Sequence, residues 1–420
     1  MQPVNASIIT IGDELLIGQT IDTNSAWMAQ ELNQVGVWVR RRVAVGDVRE
    51  EIWKALDEES SQSDIILITG GLGPTADDIT KPLLCQYFGG TLVLNQQVLE
   101  HVKYLFEQVY RRPGPLLERN IRQAEVPDNC TVLPNARGTA PGMLFQRDGK
   151  IFISMPGVPH EMKGLMTNEV LPRIPAYFSL PAIVHKTAMT AGQGESALAE
   201  LLNEFEASLP ADIKLAYLPS YGMVKLRLTT SGASREEREA YISPWFDRLK
   251  NTVSKYLVTD RDEGLEVVIG QLLRDRRQTL ATAESCTGGY IAHLITTIPG
   301  SSDYFLGSIV SYANQVKENM LGVYHTTLEK DGAVSESTVK QMALGALDRM
   351  QAHYSLATSG IMGPGGGSEA KPVGTVWIAV ASRERVETKQ LQLRYDRSRN
   401  ISMTAVQGLD LLRRFILSHQ

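Results

Sequence analysis

Short apolar runs that stop at glycine recur along the chain, separated by amphipathic stretches. Residues 7–11 (SIITI) form a β-branched run that ends at Gly12, Asp13 and Glu14. Apolar residues at helical spacing follow (Ala26, Trp27, Leu32, Val35), and a second run at 38–45 leads to Gly46 and Asp47. Residues 52–56 belong to another helix, and 64–69 (DIILIT) is a continuous apolar strand of the kind buried on both faces of a parallel sheet. This βαβ rhythm predicts an open α/β sheet that binds ligands at the edge where its strands end. Helices are predicted at 98–110 and 116–124, broken by Arg112, Pro113, Gly114 and Pro115. Strands at 143–145 and 151–155 come with Gly/Pro turns at 138–142 and 156–159. Glu161 is expected to cap the helix after the second of these turns.

In the middle of the chain, 196–205 has helical periodicity. Residues 213–218 and 223–229 read as a hairpin turned through Pro219, Ser220, Tyr221 and Gly222, and the charged SREERE opens a helix running to Tyr256. The α-β-β-α order predicts a small α+β module serving as spacer or dimer contact, with 260–264 as the linker beyond it. Residues 267–273 are then helical, and 279–289 (TLATAESCTGG) reads as a buried strand running into a glycine-flanked turn and a helix. Residues 305–312 form a strand with helix onset at Lys317. Another strand ends at Ser359, the loop 363–367 is glycine-rich, 375–381 is a strand, and a helix starts at Ile401. The expected fold class is multi-domain α/β, with domains at 1–174, 182–258 and 264–416.

A chain of 420 residues exceeds a single core. With 43% hydrophobic and 21% charged residues it is globular rather than disordered. The net charge of −5 argues against a broad footprint on nucleic acid, and the one compact basic run, Arg40 to Arg42, reads equally as a solvated strand end. Cys85, Cys130 and Cys286 lie far apart without metal-type spacing, which fits a reducing cytoplasm. No run approaches the ~18 apolar residues of a membrane span, so a cytoplasmic protein with no membrane partner is expected.

Two stretches carry chemistry. In 70–81 (GGLGPTADDITK), Gly70, Gly71 and Gly73 permit close backbone approach while Thr75, Asp77, Asp78 and Thr80 introduce a helix, making a natural phosphate cradle. It lacks the ending of a P-loop and the spacing of a dinucleotide fingerprint. Carboxylates beside phosphate need a cation between them, and Asp13, Glu14, Asp47, Asp77 and Asp78 offer hard oxygens for Mg, Mn or Co; each Asp taken singly reads as a helix cap or a turn. Arg111, Arg112, Arg119 and Arg122 read as solvated helix residues. In the second stretch, the hydroxyl of Ser285 stands where several N–H groups converge, with Gly288 and Gly289 beside it, the geometry that acyl transfer uses. The plainer reading is a serine N-cap beside a close-packing glycine pair. The segment SYANQVK brings Tyr312, Asn314 and Lys317 together, and a desolvated lysine is a competent base for the serine proton. Cys286 is the rival nucleophile. Gly363, Gly365 and Gly366 belong to a loop that covers a ligand, and Arg399 is the candidate partner for its phosphate.

The motifs TIGDELLIG, TGGLGPTADDITK, NARGTAPGM and MPGVPHEM together resemble the molybdopterin-binding domain of the CinA family of competence- and damage-inducible proteins. AESCTGG, SYANQVK and TSGIMGPGGG with KPVGTV resemble its C-terminal domain, also found alone as nicotinamide-nucleotide amidase. The middle module resembles the family's KH-like linker, without a GxxG clamp flanked by basic residues. The resemblance implies catalytic aspartates at Asp47 and Asp78 and a metal-dependent pyrophosphatase acting on ADP-ribose. It further implies hydrolysis of nicotinamide mononucleotide to nicotinate mononucleotide and ammonia at a site with no cofactor. There Ser285 is the nucleophile, Lys317 its base, and Tyr312, Thr287 and Asn314 shuttle protons or orient. Where Met362 stands the family more often has alanine. Small nucleotides and a second copy of the chain, as a homodimer, are the expected partners. A ligand-sensing or partner-binding protein tied to competence or DNA damage, and a molybdopterin enzyme, are the alternatives.

Overall fold

Strand Asn5–Ile11 divides its side chains between two cores, because successive residues of a strand point to opposite faces. Ile8 packs with Met28, Leu32, Leu67 and Ile153, whereas Ile9 and Ile11 pack with Ile52, Leu56, Ile66 and Ile68. That is why its apolar run is continuous rather than alternating. The computed structural model describes residues 4–75, 78–112 and 114–418. They form two compact units, Met1–Val184 with Thr230–Ala240, and His185–Thr229 with Tyr241–Gln420.

In the first unit the strands lie in the order Trp38–Val45, Asn5–Ile11, Ile65–Thr69, Lys150–Met155, Gly142–Arg147, Thr131–Leu133. The first four are parallel, and Gly142–Arg147 pairs antiparallel with both of its neighbours. Their parallel run delivers Gly12, Gly46, Gly70 and Pro156 to one edge. At Gly70, with φ 115°, a Cβ would collide with the Ile11 carbonyl, so only glycine closes the sheet there. Helices Thr23–Gln34 and Arg49–Gln62 cover opposite faces. The basic run is not wholly solvated: Arg41 reaches Glu59, a buried carboxylate that also accepts from the Ser7 hydroxyl at 2.6 Å. The helix predicted at 98–110 is Gln96–Tyr104 continued by a π-turn, Leu105–Val109, and the next is cut to Glu118–Ile121 with a 3-10 turn. Pro113, in the predicted break, lies outside the described residues.

A small sheet runs Lys214–Ser220, Met223–Gly232, Ala182–Ala191, Leu257–Thr259, of which residues 185–191, 214–220, 223–229 and 257–259 belong to the second unit. Its first two strands form the expected hairpin; the flanking two were not expected. The larger sheet runs Phe305–Val310, Leu280–Glu284, Tyr354–Gly360, Thr375–Ala381, Val386–Gln392, the first three parallel. One face carries alanines (Ala281, Ala283, Ala357, Ala379) against which helix Glu336–Met350 packs through Val339, Met342 and Ala346. The other is covered by Leu265–Arg276, Tyr290–Thr296 and Arg397–Leu417, through Ile269, Ile291, Leu409 and Phe415. This last helix begins four residues before the expected start, because the Asp396 side chain caps it by accepting from the Arg399 N–H. No helix among the described residues is long and apolar enough to cross a membrane.

Phe152 is buried with its ring edge-on to Phe88 at 5.0 Å, and Phe88 stacks on Phe145 at 4.3 Å. Phe152→Ala should destabilise the first unit by about 3–5 kcal/mol, read as a lower urea midpoint; an unchanged midpoint would show that this face of the sheet is not tightly packed.

Candidate functional site

The ends of the parallel strands in the first unit surround a cleft of about 370 Å³. Asp13 and Asp47, from neighbouring strand ends, are tied reciprocally: the Asp13 N–H donates to the Asp47 carboxylate at 3.3 Å, and the Asp47 N–H to the Asp13 carboxylate at 3.2 Å. Glu14 and Asp47 line the cleft from one side and Asp78 from the other. Asp78 also shapes the glycine-rich loop, its carboxylate accepting from the N–H groups of Gly73 (2.7 Å) and Thr75 (2.8 Å) and from the Thr75 hydroxyl. Gly70, Gly71 and Gly73 form the cleft floor, with the Thr80 side chain buried beneath Gly71, its hydroxyl without a partner. Asp77 lies outside the described residues. Among the described residues no three His, Cys, Asp or Glu side chains close into a metal cage. Asp13 and Asp47 bring hard oxygens to neighbouring strand ends, and a Mg²⁺-type ion is commonly held by one or two carboxylates with water and substrate phosphate completing its shell. The residues therefore fit an open cation site rather than a closed one.

Two neighbours of this cleft were not taken as site residues from the sequence. Lys81 is buried, donates to the carbonyls of Arg122 (3.2 Å) and Gln123 (3.0 Å), and has its pKa pulled down to about 8 by burial, against the raising influence of Glu125 and Asp78. A lysine at the head of an apolar helix, KPLLC, was the available signal. Glu161 does not cap its helix, Pro159–Leu165. It accepts from the Asn135 amide at 2.6 Å, and burial raises its pKa while that bond lowers it. Arg122 pairs with Glu118 at the surface, as a solvated residue would.

In the second unit the turn after Leu280–Glu284 is organised by a residue that the motif reading passed over. Glu284 is fully buried, and its carboxylate accepts from the N–H groups of Gly289 (3.1 Å), Ile291 (3.0 Å) and Ala292 (2.8 Å) and from the Thr287 hydroxyl (2.7 Å). The helix start Tyr290–Thr296 thus already holds an anion from the protein itself. Thr287 is buried and also meets the Thr358 hydroxyl at 2.8 Å. The N–H groups of Ser285 and Gly288 go to the carbonyls of Thr358 and Ser285. The expectation that the glycine pair points its N–H groups at a ligand is therefore not met, since those of Gly288 and Gly289 are taken.

Ser285 is 9% exposed and sits one residue past the sheet pairing. On the adjacent strand end the Ser311 N–H donates to the Glu284 carbonyl at 2.8 Å. Lys317 is 1% exposed and donates from Nζ to the carbonyls of Ser311 (2.8 Å) and Tyr312 (3.4 Å). Its amine and the serine are thus on neighbouring strand ends, with the hydrogen bonds of Lys317 directed to the backbone rather than to Ser285. Burial lowers the Lys317 pKa, against a small opposite influence of Cys286. The Cys286 thiol is pushed up to about 12 by burial, with Glu284 adding to the rise and Thr358 and Lys317 opposing it.

Tyr312 is 63% exposed, and its hydroxyl accepts from Arg397 at 2.8 Å, while the other arm of Arg397 donates to the Gly363 carbonyl at 2.8 Å. Arg397, not Arg399, fastens the glycine-rich loop; the Arg399 guanidinium lies 4.2 Å over the Tyr395 ring. Asn400, buried, donates to the Met362 carbonyl at 3.1 Å. Met362 itself packs into the main core, Gly363 is buried beside it, and Gly365 and Gly366 are in the exposed part of the loop. Asn314 is exposed at the first position of helix Asn314–Leu321.

Comparison with known proteins matches three domain families along the chain. Residues 7–176 match the probable molybdopterin binding domain, 185–259 the KH domain of damage-inducible protein CinA, and 262–416 the CinA C-terminal domain. A CinA-like protein of Cytophaga hutchinsonii is 48% identical over 411 residues, covering 98% of either chain. One from Flavobacterium psychrophilum is 43% identical over 417 residues, covering 99% of either. Among solved structures, a competence/damage inducible protein from Agrobacterium tumefaciens is 40% identical, covering 36% of this chain and 92% of that one with a TM-score of 0.35.

Removing the Glu284 carboxylate would leave the buried N–H groups it serves unpaired. At about 1–3 kcal/mol each, Glu284→Ala should cost at least about 3 kcal/mol, and Glu284→Gln less, because one carbonyl oxygen remains. Thermal melting of both variants checks this, and equal melting of Glu284→Ala and the parent chain would dismiss the anchoring role.

Proposed function

We propose, from the premise that this chain belongs to the CinA family, that its last domain hydrolyses nicotinamide mononucleotide to nicotinate mononucleotide and ammonia. The observation that carries this reading is the buried amine of Lys317, from helix Asn314–Leu321, bonded to the backbone at the strand end beside the one that presents Ser285. A lysine without solvent loses its proton more readily, and a neutral amine is the base that a serine nucleophile requires. The rival nucleophile is weakened by the same burial, since a thiol pushed up to about 12 is almost wholly protonated near neutrality.

The chemistry runs in two halves. Substrate binding brings the Lys317 amine within reach of Ser285, directly or through one water, as catalytic contacts commonly tighten only in the complex. Ser285 Oγ bonds to the carboxamide carbon while its proton passes to Lys317 Nζ. The C–N bond then breaks, and the leaving nitrogen takes that proton and departs as ammonia. Water attacks the acyl ester, gives a proton to Lys317, and Ser285 Oγ recovers it as nicotinate is released. With Ser285, Gly288 and Gly289 already committed, the N–H groups of Cys286 and Thr287 are the turn's remaining donors for the oxyanion. Arg397, joining Tyr312 to the glycine-rich loop, holds the rim and supplies a cation for the substrate phosphate.

For the first domain the same proposal assigns cleavage of the phosphoanhydride of ADP-ribose. A divalent cation (Mg, Mn or Co), when bound, would screen the diphosphate and polarise a phosphoryl oxygen. Asp13 and Asp47 would hold it, while the loop ordered by Asp78 cradles phosphate with its backbone. The three cysteines are free, which suits a reducing cytoplasm where both nucleotides are available.

Ser285→Ala should abolish ammonia release from nicotinamide mononucleotide with folding intact, whereas Cys286→Ala should retain most of it; the reverse pattern would transfer the nucleophile to the thiol. Because the lowered Lys317 pKa favours the neutral amine, the rate should rise with pH and level off below the range of an ordinary lysine. Lys317→Arg, which cannot deprotonate near neutrality, should lose at least about a hundredfold; a parent-like rate and profile in that variant would rule lysine out as the base. In the first domain, Asp47→Asn should slow metal-dependent ADP-ribose cleavage by at least about tenfold, and an unchanged rate would take Asp47 out of the reaction.

A further inference from the structure

The carboxylate cleft continues into a larger groove whose charges ADP-ribose leaves unmatched. It measures about 880 Å³ and lies between the π-turn Leu105–Val109 and the short helix Glu118–Ile121. Pro74 and Thr139 line both spaces, and Thr75, whose N–H donates to Asp78, lines the groove just past them. A diphosphate lying on the glycine-rich loop therefore has the groove directly beside it. Lys103, Arg112 and Arg119 line this groove, against one carboxylate in the lining, Glu107. All three cations are exposed, and among the described residues none of their side chains enters a hydrogen bond or an ion pair. Arg122, three residues after Arg119, lies outside the groove and is held by Glu118. Free cations thus gather on one groove of a chain whose net charge is −5.

Charge complementarity selects the ligand. ADP-ribose carries its negative charge on the bridging diphosphate, which the proposed reaction gives to the cation at Asp13 and Asp47 and to the loop's backbone. Its adenosine half is neutral, so three cations beside it would have no anion to meet. A phosphomonoester on the ribose supplies one. It adds about 1.5 to 2 negative charges near neutrality, and arginine grips it through paired N–H groups. Phe106 and Tyr110, edge-on to each other at 5.5 Å, also line the groove and give it an aromatic surface on which a base can stack. We propose that the groove receives a phosphomonoester on the ribose of the cleft's substrate, bound by Lys103, Arg112 and Arg119. The first domain thereby prefers nucleoside diphosphates phosphorylated at the 2′ or 3′ hydroxyl over ADP-ribose itself. The inference rests on the reading of the cleft as a phosphoanhydride-cleaving site.

Titration calorimetry of the full chain in magnesium, with AMP, adenosine 2′,5′-bisphosphate and adenosine 3′,5′-bisphosphate, tests it without turnover. One of the bisphosphates should bind at least about tenfold more tightly than AMP, and which one does so assigns the ribose position. Lys103→Ser and the double variant Arg112→Ser/Arg119→Ser should each reduce that ratio, the double variant to below about twofold. Thermal melting should stay at the parent value, because these side chains hold nothing else. Arg122→Ser removes the same charge nearby but outside the groove, and should keep the ratio. Equal affinity for all three ligands, no binding of any by the parent chain, a ratio that survives in both groove variants, or an equal loss in Arg122→Ser overturns the groove. Cleavage assays with ADP-ribose and its 2′-phosphate separate this inference from the reading beneath it. A groove-dependent bisphosphate preference in a chain that cleaves neither compound keeps the groove and removes the pyrophosphatase. Cleavage of ADP-ribose by a chain with no such preference keeps the pyrophosphatase and removes the groove.

Discussion

The burial of one carboxylate governs the last domain. Glu284 is the final residue of the central strand, fully enclosed, and it is tolerable there only because backbone N–H groups and hydroxyls surround it. Those same bonds fix where helix Tyr290–Thr296 begins and therefore the path of the turn between strand and helix. Ser285 inherits its position from this arrangement, as does Thr287, whose hydroxyl bridges Glu284 and Thr358. Without an internal anion the helix start would itself attract a ligand anion. With it, the N–H groups of Gly289, Ile291 and Ala292 are already occupied.

Both units apply one rule of open sheets to opposite electrostatic ends. The carboxyl ends of parallel strands gather side chains remote in sequence, Asp13 with Asp47 in the first unit and Ser285 with Lys317 in the second. In the first, the carboxylates of Asp13 and Asp47 each accept from the other's N–H, and in the proposed reaction they would hold a cation. In the second, a buried amine has no carboxylate partner and is driven toward neutrality. The residues just beyond each strand set the difference: acidic side chains after the glycines at Gly12 and Gly46, and a helix carrying lysine after Tyr312.

Strong local signals made the sheet edges legible. Apolar runs such as 64–69 and 279–284 are strands, and the glycines after them mark the ligand side, because both depend on local backbone preference. Strand Ala182–Ala191 was missed because His185 and Lys186 interrupt its apolar pattern, and Val386–Gln392 because an edge strand needs no buried face. Glu284 looked like the tail of a strand, since nothing in one sequence announces that several amides will fold back onto it. That Arg397 rather than Arg399 bonds the glycine-rich loop was hidden for a similar reason. The Asp396 cap moves the helix start, and with it which of two arginines faces the loop.

The two buried lysines show why Lys317 and not Lys81 suits a base. Each donates to a pair of backbone carbonyls, and each is pulled down by lost hydration. Lys81 has Glu125 and Asp78 near it, charges that partly restore its ammonium, and its pKa settles at about 8. That is the behaviour of a strut holding the segment at Arg122 and Gln123 over the cleft. Among the described residues, the group opposing the fall at Lys317 is Cys286. A thiol pushed up to about 12 carries essentially no charge near neutrality, so the opposition vanishes where it would matter. In the proposed mechanism burial of the cysteine would therefore act twice, weakening a competing nucleophile and depriving the lysine of a counter-charge that would have kept it protonated.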